Sequence, residues 1–169
     1  MKKISYKACL AVTLLLLFSN SCKEDFLSIT PNGSLDAEVL ANAKGVEALL
    51  IGAYSMLDGV ASNGFGWEAA SSNWVYGSIR ALEANKGSDA GDASDINPIQ
   101  NFSETPTNAF LHVKWRSLYD GISRTNAALR LLASAEAKGT VTETEAISFR
   151  KQARTLRGLY HFEGWRMWS

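Results

Sequence analysis

The stretch that decides the fold is residues 110–132, FLHVKWRSLYDGISRTNAALRLL. The side chains of one face recur at steps of three and four residues, which predicts a long helix over Phe110–Leu132. That face carries Leu111, Trp115, Leu118, Ile122, Asn126, Leu129 and Leu132. We interpret Trp115 and Tyr119, one turn apart, as packing residues. Gly139 is typical of the residue that follows a helix, so the helix is predicted to stop before it.

A second long helix is predicted directly after a capping box, Thr142-Glu143-Thr144-Glu145. We expect the Thr142 hydroxyl to accept a hydrogen bond from the backbone N–H of Glu145, and the Glu145 carboxylate to reach back to the start of the helix. The helix is predicted to run through Phe149, Ala153, Leu156 and Tyr160 to at least Trp165. Two long helices joined by so short a segment form an antiparallel hairpin.

The residues before the hairpin predict weaker helices separated by loops. Asp36–Leu57 carries a helical stripe, and a break is expected near Asn42 because glycines weaken this stretch. Trp67–Leu82 predicts another helix from a less regular pattern. Asn85–Pro106 is rich in glycine, proline and aspartate, and is predicted to be a long loop. Together these elements predict an all-α fold.

The first residues of the chain have the composition of an export signal. Lys2, Lys3 and Lys7 precede an apolar run over Ala8–Phe18. About eleven apolar residues are too few to cross a membrane as a helix, so this run predicts a signal peptide instead. The run ends shortly before Cys22.

The sequence around Cys22 resembles a bacterial lipoprotein box, in which the cysteine becomes the lipidated first residue of the mature chain. The alternative is an ordinary secretory signal with an incidental cysteine. The Lys-Glu-Asp after Cys22 resembles the acidic export tag of surface-exposed lipoproteins. The predicted organisation has three parts: a signal peptide over 1–21, a lipidated tether over 22–34 and a helical domain over 35–169.

Composition and charge exclude several classes of function. Loss of the signal leaves 14 basic against 17 acidic residues, a net charge of −3, without the clustered basic face of a nucleic-acid-binding protein. The two cysteines are Cys9 in the signal and Cys22, so we expect no disulfide. No motif for a nucleophile, a phosphate-binding loop or a zinc site is present, and we expect neither an enzyme nor a cofactor. Glycoside hydrolysis by two carboxylates stays formally open, although no pair is singled out.

Six short motifs, spread over nearly all of the chain after the signal, share their order with those of one known family. They are Cys22–Pro31, Gly52–Tyr54, Asn73–Ser78, Lys86–Asp92, Trp115–Ile122 with Asn126-Ala127, and Ala153–Phe162. In this order they resemble the amino-terminal third of the SusD/RagB family, the surface glycan-binding lipoproteins of nutrient-uptake systems.

The resemblance implies a scaffold of tetratricopeptide-like helical hairpins, a repeat that needs several copies to close its core. It implies a lipid anchor in the outer membrane that holds the protein on the exterior of the cell. It also implies a TonB-dependent, SusC-like transporter as partner and an oligosaccharide as ligand. The alternative is a scaffold that caps or organises the transporter through protein contacts alone.

The apolar residues near the end of the last predicted helix indicate that the sequence is an incomplete member of such a family. Four apolar side chains, which a covered helix would bury, are expected to be exposed near its end: Leu159, Phe162, Trp165 and Trp168. We therefore expect the fragment alone to be poorly soluble or partly unfolded.

Glycan binding requires aromatic faces for sugar rings and polar groups for their hydroxyls. Six side chains close together in the sequence are predicted to form such a platform: Trp67, Asn73, Trp74, Tyr76, Arg80 and Asp89. The alternative is that Trp74 and Tyr76 are core aromatics, since large aromatic residues are highly buried on average.

Three aspartates at steps of three residues, Asp89, Asp92 and Asp95, raise the possibility of a calcium loop. They miss the ligand pattern of an EF-hand, so a solvated turn is the favoured interpretation. His112 and His161 are isolated from other ligand types, and we interpret both as structural or surface residues.

Overall fold

The computed structural model describes residues 37–57 and 74–168. The signal, Cys22, the tether, Trp67 and Asn73 lie outside the described residues. The described part is helical and contains no strand, which confirms the all-α prediction. Its elements are α1 (Ala37–Leu40), α2 (Ala43–Tyr54) with a 3₁₀ turn (Ser55–Leu57), a π-helical turn (Val75–Ile79), α3 (Ile96–Gln100), α4 (Ala109–Ala137) and α5 (Glu143–Trp168). Among these residues, no helix combines the length and the apolar content needed to cross a membrane.

Helix α4 is the predicted central helix, extended at both ends. Asn108 begins it, because its side-chain oxygen accepts from the backbone N–H groups of Phe110 at 3.0 Å and Leu111 at 3.2 Å. Gly139 follows its end with a φ of 67°, a left-handed conformation that glycine adopts without strain. The predicted stop is thus confirmed.

The capping box at the start of α5 is also confirmed. The backbone N–H of Glu145 donates to the Thr142 hydroxyl at 3.3 Å, and the backbone N–H of Thr142 donates to Glu145 Oε2 at 2.8 Å. Val141 and Ala146, on either side of the box, pack in the same apolar cluster. The first turn of α5 is therefore fixed by residues adjacent in sequence.

Helices α4 and α5 form the predicted antiparallel hairpin. Contacts pair later residues of α4 with earlier ones of α5, as with Glu136 and Arg150, and earlier residues with later ones, as with Asn126 and Arg157. Helix α2 packs against both helices and closes a three-helix core. Its buried side chains include Val46, Leu50, Leu118, Leu132, Ala135, Ala153, Leu156 and Tyr160.

The break expected near Asn42 is confirmed, since α1 ends at Leu40 and α2 begins at Ala43. The Asn42 side-chain oxygen accepts from the backbone N–H of Gly45 at 3.1 Å and caps α2. A Cβ at Gly45 would overlap the Leu40 carbonyl oxygen, so the close approach of α1 to α2 requires glycine.

The segment between α2 and α4 departs from the prediction. The described part of Trp67–Leu82 is a π-helical turn rather than an α-helix, and the predicted loop Asn85–Pro106 contains α3. The reason is a separate apolar cluster: Val75, Tyr76 and Ile79 pack against Ile96 and Ile99. Tertiary packing here outweighs a local pattern that is weak in both segments.

Candidate functional site

The amino-terminal half of α4 and the carboxyl-terminal half of α5 expose a cluster of aromatic rings. Trp115 stacks on Tyr119 with centroids 4.4 Å apart, and meets Trp168 edge to face at 5.0 Å and 84°. Their exposed fractions are 43% for Trp115, 48% for Tyr119 and 37% for Trp168. We call these three residues the aromatic wall. The antiparallel hairpin creates it, because it brings the start of one helix beside the end of the other.

A cavity of about 410 Å³ lies on one side of the aromatic wall. We call it the Glu104 cavity. Its lining joins both indoles to polar and apolar residues of the loop before α4 and of the first turns of α4. These residues are Glu104, Thr105, Pro106, Leu111, His112, Trp115 and Trp168. Apolar surface with a few polar groups at its edge is the usual composition of a small-molecule site.

A second hollow of about 270 Å³ also borders the aromatic wall. It shares Trp115 and Trp168 with the Glu104 cavity. Its remaining lining comes from both helices of the hairpin: Leu118, Tyr119, Ile122, Tyr160, His161, Gly164 and Trp165. The two indoles therefore contribute aromatic surface to both cavities.

Glu104 is the charged group of the first cavity. Arg80 forms an ion pair with its Oε1, while Oε2 is buried and has no hydrogen-bond partner among the described residues. Burial acts to raise the pKa of this carboxyl, but hydrogen bonds from Arg80 and from its own backbone, and the charge of Arg80, hold the pKa below its usual value. Glu104 is therefore ionised at neutral pH, with one acceptor unused.

Arg80 holds the loop before α4 in a second way. Its guanidinium lies over the ring of Phe102, 5.6 Å from the centroid. Phe102 has a φ of 54°, a left-handed conformation that is uncommon for any residue with a side chain. Arg80 thus contacts two residues of the loop that carries Glu104 into the cavity.

Lys114, next to Trp115 in sequence, points the other way and is fully buried. Its ammonium lies 5.3 Å from the centroid of the Tyr76 ring. Burial lowers its pKa to about 8, an effect opposed by the nearby Glu163 carboxylate and reinforced by Arg166. Lys114 therefore links α4 to α5 and to the π-helical turn, and does not line the Glu104 cavity.

The described members of the predicted platform lie in different environments. Tyr76 is buried and donates to the Phe110 carbonyl at 2.8 Å, as the core interpretation expected. Trp74 is exposed, and Asp89 is a surface residue of the aspartate loop. Arg80 alone of the four described residues reaches the cavity wall, through Glu104. The assignment of these residues to a ligand stays a prediction.

The packing role predicted for Trp115 and Tyr119 is wrong, because both are exposed. Periodicity shows that the two side chains share a face of α4, but not whether another element covers that face. In the described part of the chain, α2 and α5 cover the later turns of α4. A signal that could have located the cluster is the position of Trp115 near the start of one predicted helix and Trp168 near the end of the next. An antiparallel hairpin brings these two positions together.

The aspartate loop is organised by a lysine. Lys86 Nζ donates to the backbone carbonyl of Asp89 at 2.7 Å and to that of Asp92. In the described residues no cluster of three or more histidine, cysteine or acidic side chains could hold a metal ion. An ammonium therefore lies against two backbone carbonyls of this loop.

By its fold and its candidate site, the chain is an all-α protein that presents aromatic rings and the Glu104 carboxylate at one end of a helical hairpin. The chain has no significant match among protein-family models, curated proteins or solved structures. Its function must therefore be argued from its own residues.

Proposed function

We propose that the protein is a non-enzymatic, surface-anchored lipoprotein that binds glycans and delivers them to a TonB-dependent outer-membrane transporter. The observation that supports this proposal most directly is the aromatic wall beside the Glu104 cavity. In this proposal the hairpin of α4 and α5 is a tetratricopeptide-like unit, in keeping with the motifs that resemble the SusD/RagB family.

The chemistry of a sugar matches this surface. A pyranose ring has apolar C–H faces and a rim of hydroxyl groups, so it requires rigid apolar surface with hydrogen-bonding groups at the edge. Tryptophan and tyrosine supply such surface with few rotatable bonds. Glu104, Thr105 and His112 supply polar groups beside Trp115 and Trp168.

The binding proposal is tested by isothermal titration of the full chain with a panel of oligosaccharides. We expect heat of binding for at least one glycan class, and no release of reducing sugar over the same period. A chain that binds none of the panel would contradict the proposal. Sugar release that is lost on mutation of one carboxylate would instead show a glycosidase.

The anchor is tested separately, since Cys22 lies outside the described residues. Several acyl chains on one amino terminus make release from a membrane slow, because each buried CH₂ contributes about 0.8 kcal/mol. We expect cells that express the chain to incorporate a clickable fatty acid into it, and the Cys22→Ser variant to lose both label and membrane association. Equal labelling of the two proteins would refute lipidation at Cys22.

One observation favours the alternative, a scaffold that acts through protein contacts. Phe162 and Trp165 stack at 6.3 Å on the exposed surface of α5, and Arg166 lies over the Phe162 ring. Tryptophan and arginine are over-represented among residues that dominate protein interfaces. If Phe162→Ala abolishes co-purification with the transporter and no glycan binds, the scaffold is the correct function.

A further inference from the structure

We infer that the Glu104 cavity binds one neutral sugar ring and that Glu104 makes the site discriminate against acidic sugars. The inference rests on the proposed function and goes further, because it names a subsite, the chemical class of its ligand and the residue that selects it.

The cavity has the size and the walls for a single ring. Its volume of about 410 Å³ falls within the range of about 300–1,000 Å³ that is usual for small-molecule sites. Trp115 and Trp168 meet at 84°, so a ring stacked on one indole has its edge against the other. Both indoles belong to long helices whose cores pack against each other, and a rigid backbone lowers the cost of ordering a binding wall.

The polar groups of the cavity favour a ligand rich in hydroxyls. Glu104 Oε2 is an acceptor without a donor among the described residues, and a buried acceptor left unpaired is costly. A sugar hydroxyl is a donor that could pair with it once the carboxylate turns toward the cavity. Thr105, whose hydroxyl lies 2.9 Å from that of Thr107, and His112 extend the polar edge. A phenylalanine side chain of a peptide would fill the same walls but carries no donor for this acceptor.

The charge of the cavity favours a neutral ligand over an acidic one. Among the described residues that line it, none is a lysine or an arginine. The nearby Arg80 is already paired with Glu104. A uronic acid would therefore bring its carboxylate toward Glu104 and lose its own hydration without gaining a cation.

The test compares neutral oligosaccharides with the matching uronic-acid oligomers on the full chain, by isothermal titration. We expect the parent to bind a neutral oligomer at least about ten-fold more tightly than its acidic counterpart, the effect of one unfavourable charge contact. Glu104→Gln retains a side-chain acceptor and removes the charge, so this ratio should fall toward one. Trp115→Ala should weaken all sugars by about ten-fold or more, as the loss of a central aromatic contact does.

Phe162→Ala is the matched control, because Phe162 is an exposed aromatic residue of the same hairpin that lines neither cavity. It should bind sugars as the parent does. Indole N–H signals in NMR spectra give a second readout that does not depend on a variant binding sugar. A neutral sugar in the cavity should shift the signals of Trp115 and Trp168, assigned from single tryptophan-to-phenylalanine variants.

The outcomes separate this inference from the proposed function. If no neutral or acidic oligosaccharide binds, both fail together. If sugars bind but Trp115→Ala behaves like Phe162→Ala and the two indole signals do not move, the ligand lies elsewhere and the inference alone is overturned. If Trp115→Ala weakens binding while Glu104→Gln leaves the ratio unchanged, the location is correct and the role of Glu104 is refuted.

Discussion

At the scale of single residues, Gly121 is a position where α4 lies directly against a side chain of α5. A Cβ added there would lie 2.8 Å from two atoms of the Tyr160 ring. Tyr160 has little freedom to move away, because it is buried and its hydroxyl donates to the Ala53 carbonyl at 2.6 Å. The absence of a side chain at Gly121 therefore allows α4 and α5 to pack closely where Tyr160 contacts α2.

We predict that Gly121→Ala lowers the free energy of unfolding by about 2 kcal/mol, as overpacking of a tight core does. Urea denaturation followed by circular dichroism measures the change. The control is Gly158→Ala in α5, where nothing lies within 4 Å of an added Cβ. That variant should gain about 0.5–1 kcal/mol, since alanine favours a helix over glycine. Equal effects of the two variants would show that Tyr160 is not confined.

The interpretation of the aspartate loop depends on a residue outside the aspartate motif. The spacing of Asp89, Asp92 and Asp95 allowed a calcium loop or a solvated turn, and carboxylates alone do not distinguish them. The structure adds the ammonium of Lys86, which donates to backbone carbonyls of the loop and favours the solvated turn. A lysine outside the acidic cluster gives no sign of this in a metal-ligand pattern.

We predict that calcium at millimolar concentration leaves the melting temperature of the chain unchanged. The Lys86→Met variant should melt at a lower temperature, because its loop loses charge-assisted hydrogen bonds worth about 1 kcal/mol at an exposed site. Differential scanning calorimetry with calcium and with a chelator measures both effects. A melting temperature of the parent that rises and saturates with calcium would contradict the assignment of Lys86.

At the scale of elements, the ends of the long helices were predictable because their determinants are local. Asn108, Thr142 and Glu145 lie within four residues of the backbone groups that they satisfy, and Gly139 ends α4 through its own φ. The π-helical turn and α3 were missed because they depend on a cluster joined across the chain. Local signals determine helix ends, whereas tertiary packing determines weak segments.

We predict that Thr142→Ala lowers the free energy of unfolding by about 1 kcal/mol, the usual effect of losing an N-cap. Thr144→Ala, in the first turn of the same helix, should change it far less. Hydrogen bonds from the Thr142 backbone and side chain hold the pKa of Glu145 below its usual value. The contribution of these bonds to the carboxylate is therefore present at neutral pH and is lost as acid protonates Glu145, so the difference between the two variants should become smaller at low pH. It should not vanish, because the Glu145 backbone N–H still donates to the Thr142 hydroxyl. Equal stabilities at pH 7 would refute the cap.

At the scale of the whole molecule, the candidate site could not be predicted from the order of residues. Its indoles come from opposite ends of the hairpin, and its carboxylate is held by Arg80 from the segment around the π-helical turn. The sequence predicts a platform from residues that lie close together along the chain: Trp67, Asn73, Trp74, Tyr76, Arg80 and Asp89. It predicts packing roles for Trp115 and Tyr119, because periodicity marks a shared face without showing which part of it remains uncovered.

Lys114 connects α4 with α5 and with the π-helical turn, so its protonation state affects the free energy of unfolding of the chain. Its fully buried ammonium faces the Tyr76 ring from the π-helical turn, and Glu163 with Arg166 from α5. Glu163 also accepts from Arg166 at 2.9 Å, so two cations share one buried carboxylate. Burial penalises the protonated lysine and is the main reason that the pKa of Lys114 falls to about 8, while Glu163 opposes this effect and Arg166 adds to it.

We predict that the free energy of unfolding rises between pH 8 and pH 10. In this window the folded chain has released the Lys114 proton, whereas the unfolded chain, with a lysine pKa of about 10.4, still binds it. Stability therefore increases with pH, by up to roughly 2 kcal/mol across the window. Above pH 10 the slope should weaken, because burial raises the pKa of Tyr160 to about 12 and the folded chain then retains the phenol proton that the unfolded chain loses. Lys114→Met, measured by urea denaturation at each pH, should lack the rise, and an identical rise in both proteins would assign it to other groups.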